Sequence, residues 1–134
     1  MPGPNSFDYG IVRVVPRVER GEFINVGIIL ICRAKRYLAA QIELDEARLL
    51  ALYPAIDLAE LKQHLDVIPK ICAGGPDSGP IGQLSLQERF HWLVAPRSAV
   101  IQTSPVHTGI CRDPAIALDE LLAKLVEVHR VGSA

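Results

Sequence analysis

The stretch 19–32, Glu-Arg-Gly-Glu-Phe-Ile-Asn-Val-Gly-Ile-Ile-Leu-Ile-Cys, limits the folds open to this chain more than any other segment. Phe23, Ile24, Val26, Ile28, Ile29, Leu30 and Ile31 are apolar, mostly β-branched, and form a run too short for an ordinary helix, so the run reads as a strand. Apolar side chains stand at both parities. A strand with one wet face would alternate, so this one belongs inside a sheet covered on both sides. Gly27 interrupts it, as glycine does at bulges or where another group comes close. Strict alternation places Asn25 and Gly27 on one face.

The neighbouring segments build a sheet around that strand. Residues 9–15 hold Ile11, Val12, Val14 and Val15 around an isolated Arg13 before Pro16 limits pairing, and residues 37–43 form another strand. Polar connections at 17–21 and 33–36 join the three into an antiparallel meander with the apolar stretch in the middle. With odd-length loops centred near Arg20 and Lys35, Arg13 lies across from Gly27 and Gly27 across from Glu43, with Asn25 and Gln41 on the same face. Gly27 then floors either a marginal Arg13–Glu43 ion pair or a small polar pocket.

Beyond the meander the pattern turns helical. Residues 45–53 carry Leu49, Leu50 and Leu52 before Pro54. Asp57 with Glu60 resembles a capping box, and Leu58, Leu61, Leu65 and Ile68 recur at helical spacing up to Pro69. Ser85 with Glu88 opens a short helix in which Phe90 and Trp92 read as core anchors. Asp113-Pro114 starts the last helix, with Arg130 in its final turn and Gly132 just beyond. Residues 99–103 give a fourth strand and 104–112 a loop with Pro105, His107 and Gly109. Residues 73–84, rich in glycine and proline, read as a flexible loop, and 1–6 as a poorly ordered leader. The expected fold is therefore α+β over residues 1–134 as one domain: an N-terminal three-stranded meander, one later strand and about four helices packed on the sheet.

Composition narrows the function classes. With 134 residues, 49% hydrophobic and 22% charged, the chain is long enough to bury about two thirds of its unfolded surface. A net charge of −1 and pI near 6.4 lack the basic footprint that nucleic acid or an acidic membrane attracts. Arg13, Arg17, Arg20, Arg33, Lys35 and Arg36 enrich one end, without an aromatic platform beside them. Cys32, Cys72 and Cys111 are odd in number and far apart, which fits free thiols in a reducing cytoplasm. No signal peptide or membrane-spanning run is read from the sequence, so a cytoplasmic protein is expected. No cofactor fingerprint is present. The glycines of 73–84 lack phosphate-loop spacing, and His107 with Cys111, even joined by His91, falls short of the usual four zinc ligands, so no metal site is expected.

The residues 9–16, the Glu22-Phe23-Ile24-Asn25-Val26-Gly27 core, and the segment 92–114 with Gln102-Thr103-Ser104-Pro105 and Asp113-Pro114 resemble the bacterial family known as domain of unknown function 3037. The resemblance covers nearly the whole chain, and the Asn-Val-Gly element is its most specific part. It implies a small bacterial protein without an assigned activity, from a family whose genes are often found beside one for a HipA-like kinase domain.

Two functions of different class fit these residues. The first is a binding or adaptor module, joined to a protein partner such as a HipA-like kinase or to a second copy of itself. Its motive is the doubly apolar central strand, which needs two covers, one from the helices and the other from a second subunit. The second is a small-molecule or anion-binding domain, with or without catalysis, built on the polar face near Gly27 and the 104–112 loop. Its candidate residues are Arg13, Arg17, Glu22, Asn25, Gly27, Glu43, Ser104 and His107: the arginines to hold an anion, Asn25 to orient it, and Ser104 or His107 to add chemistry. Ser104 stands in no nucleophile elbow, and no base or orienting acid is set by spacing, which favours the non-catalytic reading.

Overall fold

The computed structural model describes residues 3–97 and 99–127. Its centre is an antiparallel sheet of β1 (Asn5–Val14), β2 (Ile24–Cys32), β3 (Tyr37–Ile42), β4 (Ile101–Thr103) and β5 (His107–Cys111). The order is β3-β2-β1, with β4 and β5 following one another along the far edge of β1. The expected meander is present and β2 is an inner strand. Five α-helices are described: α1 (Glu46–Leu52), α2 (Leu58–Ala73), the single turn α3 (Gly79–Gly82), α4 (Leu86–Val94) and α5 (Pro114–Leu125).

Both sheet faces are covered within the chain. On one, Val12, Val14, Ile24, Val26, Ile29, Ile31 and Leu38 meet Leu49 of α1, the stripe Leu61, Leu65, Ile68, Ile71 and Cys72 of α2, and Phe90 and Leu93 of α4. On the other, Phe7, Ile11, Ile28, Leu30 and Cys32 meet Leu118 and Leu122 of α5 and Val126 beyond it. Each fully buried aliphatic side chain here contributes about 1.5–3 kcal/mol. The cover that a second subunit was invoked to supply is α5 itself.

Local signals set the helix starts. Asp45 and Asp57 accept from the backbone N–H of Arg48 and Glu60, each three residues on, and Asp113 accepts from Ala115 N–H at 2.9 Å ahead of Pro114. Ser85 and Glu88 form a complete capping box. Two expectations change here. Helix α2 runs through Pro69 to Ala73, ending on Gly74 at φ 70°. The segment expected as an open loop at 73–84 carries a 3-10 turn, Pro76–Ser78, and α3 instead. Ser78 Oγ donates to Gly75 C=O and closes the turn, while Arg89 of α4 donates through Nη1 to the carbonyls of Ile71 and Cys72, which ties α4 to the end of α2. The expected last-turn features Arg130 and Gly132 lie outside the described residues.

Pairing across the sheet corrects three further expectations. Strand β1 begins at Asn5 rather than Tyr9, because β5 extends it: Asn5 pairs with Cys111 and Ser6 with Ile110, inside the stretch expected as a leader. Strand β5 itself lies where a loop was expected. Its His-Thr-Gly-Ile-Cys sequence carries little strand signal, and β1 supplies the pairing. The third correction is register. Arg13 pairs with Asn25, Val12 with Gly27, and Gly27 with Ile42, leaving Val26 without a partner on β1. This is a β-bulge, and it switches the parity of β2. Val26 and Gly27 fall on the face of α1, α2 and α4, whereas Asn25 faces α5.

Candidate functional site

The structure brings few of the expected site residues together. Arg13 and Asn25 are neighbours on the α5 face, Arg13 with its guanidinium 4.1 Å over the Phe23 ring. Asn25 Nδ2 donates to the Leu125 carbonyl at the end of α5, 3.1 Å away. Arg13 Nε and Asn25 Oδ1 are both buried without a hydrogen-bond partner. Gly27 opens toward the opposite face and floors nothing beside them. No Arg13–Glu43 ion pair is present, because the bulge shifts the register; exposed Glu43 donates its N–H to Val26 C=O. Arg17 pairs with Glu19, and Glu22 with Arg20, in the exposed loop before β2. Arg33 pairs with Asp8. Three of the six cations at this end therefore have carboxylate partners.

Ser104 and His107 have structural surroundings. Ser104 is 2% exposed and sits between β4 and β5, where three residues oppose Gly10 and Ile11. Its N–H donates to Ile11 C=O at 2.8 Å, and its Oγ accepts from Ile11 N–H at 2.9 Å while donating to Pro105 C=O. The hydroxyl thus replaces a missing ladder acceptor at a bulge. Ser104→Ala is expected to leave the Ile11 N–H buried and unpaired and to lower stability by about 1–3 kcal/mol in urea unfolding. His107 is exposed on β5, its ring 5.5 Å from that of Tyr9. Burial pushes the Cys72 thiol up to about 12, opposite to what a nucleophile needs. Burial also raises the Cys111 thiol. Among the described residues no three His, Cys, Asp or Glu side chains are grouped as metal ligands, and no helix is long and apolar enough to cross a membrane.

A well-formed concavity lies elsewhere, on the α2 and α4 face at the β4 edge. A groove of about 800 Å³ runs between α2 and the segment joining α4 to β4. Asp57, Glu60, His64, Val67 and Ile71 form one wall, on a single flank of α2, because positions 57, 60, 64, 67 and 71 are three or four apart. Trp92, Arg97 and residues 99–103 form the other, and Leu61, Ile68 and Leu93 lie between them. The rim is apolar and accessible: Val67 is 45%, Val100 41% and Trp92 39% exposed. Arg97 lies 4.4 Å over the Trp92 ring and donates to the Trp92 carbonyl, which holds that wall in place. Thr103 Oγ1 is buried on the groove side without a partner.

Sequence reasoning missed this site by placing Trp92 in the core. The signal was available in helix geometry. At about 100° per residue, Phe90 and Leu93 share a face of α4 while Trp92 is rotated by about 200° from Phe90. Phe90 is 1% exposed and packs in the core, and Trp92 turns to the groove.

One antiparallel sheet between two helical layers, with a groove at its β4 margin, defines an α+β protein whose accessible concavity is a helix-to-strand cleft. The chain belongs to the family DUF3037, described as a protein of unknown function, whose model matches residues 9–126. No curated protein and no solved structure matches it.

Proposed function

We propose that this protein is a binding module and that its partner is another protein, docked in the groove between α2 and β4. The observation that carries this reading is the exposure of Val67, Trp92 and Val100 together around one 800 Å³ groove. Soluble chains seldom expose contiguous apolar surface without a use for it, and grooves of this volume are the common setting for a bound ligand. The rim tryptophan is the residue type most enriched at binding hot spots. The competing anion-binding reading has less support, because Arg17, Glu22, Glu43, Ser104 and His107 do not converge on Arg13 and Asn25.

A HipA-like kinase is the first partner to test, on the family resemblance, and a second copy of the chain is the next. The tagged protein is mixed with the purified kinase and affinity is measured by calorimetry, with sedimentation of the protein alone reporting self-association. Val67→Glu and Trp92→Ala are expected to weaken the complex about tenfold or more, equivalent to about 1.4 kcal/mol. Binding that is indifferent to both substitutions would remove the groove from the reading. Neither a complex nor a dimer would reject both named partners.

A further inference from the structure

The wall of the groove opposite α2 is a strand edge. Residues 99–103 line it consecutively, both parities together, as happens when backbone rather than one side-chain face borders a cavity. The hydrogen bonds to β1 show which groups are spent. Val15 N–H donates to Val100 C=O at 2.6 Å, and Ser104 N–H donates to Ile11 C=O at 2.8 Å. In an antiparallel ladder each residue points its N–H and C=O to the same side, and the side alternates along the strand. Val100, Gln102 and Ser104 therefore address β1, and Ile101 and Thr103 present N–H and C=O to the groove. On that side Gln102 Nε2 donates to the Ala99 carbonyl at 2.8 Å, and among the described residues no partner meets the backbone groups of Ile101 and Thr103.

An unpaired edge of this kind is a template for another strand. Nothing on β4 guards against it, since Ile101, Gln102 and Thr103 include no charge and no proline. The groove beside it is floored by Leu61, Ile68 and Leu93, a surface for the inward side chains of an added strand. The far wall contributes the carboxylates Asp57 and Glu60, while the lining cation Arg97 is engaged on Trp92.

Resting on the reading that the groove is the binding surface, we propose that its occupant is an extended segment of a partner protein that adds to the sheet beside β4. Its main chain pairs with Ile101 and Thr103, alternate apolar side chains enter the floor, and a lysine or arginine lies beside Asp57 and Glu60. A segment that alternates apolar and polar residues over about five to six positions, with a cation at one end, has the required chemistry.

The test uses a phage-displayed library of random peptides selected against the intact protein. The enriched peptides are synthesised and measured by fluorescence anisotropy on the wild type, Val67→Glu and Thr103→Pro. Thr103→Pro removes an N–H that points to the groove and takes no part in the ladder to β1, a position where an edge strand tolerates proline. Amide exchange at Ile101 and Thr103 in the wild type, with and without peptide, gives a second readout that requires no folded variant. Expected are sequences of period two carrying a basic residue, affinity reduced about tenfold or more by both substitutions, and slowed exchange at both amides. Peptides with helical spacing, weakened by Val67→Glu but not by Thr103→Pro and leaving both amides fast, would overturn strand addition and leave the groove reading standing. Failure to enrich any peptide, or binding indifferent to Val67→Glu, would overturn both.

Discussion

Replacing Phe90 by alanine is expected to destabilise the protein by about 3–5 kcal/mol, the range for emptying a buried aromatic site. Phe90 is 1% exposed and packs among the side chains of α2 and the sheet. Domains of this size are held by about 5–15 kcal/mol, so the variant would lose a large part of its margin. Urea unfolding followed by circular dichroism measures the effect, with a fall in midpoint at nearly constant slope as the expected form. Trp92→Ala supplies the contrast. Its ring is 39% exposed and its partner is the Arg97 guanidinium, so its truncation should change stability by about 1 kcal/mol or less. A large loss from Trp92→Ala and a small one from Phe90→Ala would reverse the assignment of core and groove faces on α4. The pair thus separates packing from binding in a helix where the two residues stand almost side by side in sequence.

Gly27→Val is expected to be comparably severe, at about 3 kcal/mol or more, because the added atoms have nowhere to go. A Cβ at Gly27 would lie 2.7 Å from the Gln41 carbonyl oxygen and 2.5 Å from Ile42 Cδ1. The side chain of Ile42 can rotate, but the carbonyl belongs to the β3 backbone. Relief would therefore require β2 and β3 to separate at the bulge, where Glu43 N–H also donates to Val26 C=O. A midpoint equal to that of the wild type in urea would show that the bulge accepts a side chain. Gly27 is thus needed for close backbone approach at a bulge, which is a different role from flooring a polar pocket.

That difference traces to how far each kind of signal reaches. Caps act within three residues, so Asp57, Ser85 with Glu88, and Asp113 before Pro114 were legible as helix starts. The 3.6-residue period made the core stripe of α2 legible for the same reason. The apolar run at 24–32 identified β2 as an inner strand, because such composition has no other stable place. At the candidate site less was legible. Trp92 was in view as a helix residue, but the groove exists only where α2 stands across from β4. The pairing of Arg13 with Asn25, rather than Gly27, depends on one residue without a partner on β1, Val26.

By itself the sequence determined the helix starts, the meander and the inner position of β2, since capping, periodicity and apolar runs are carried by residues close together in the chain. The tertiary structure alone decided the existence of β5, the role of Ser104, the bulge at Val26 and the groove. Each of these depends on partners from different elements: Ile11 and Ser104 are 93 residues apart, and Asn25 and Leu125 are 100. A strand as weakly apolar as His107–Cys111 becomes a strand because β1 has an edge to be paired. No local propensity encodes that edge.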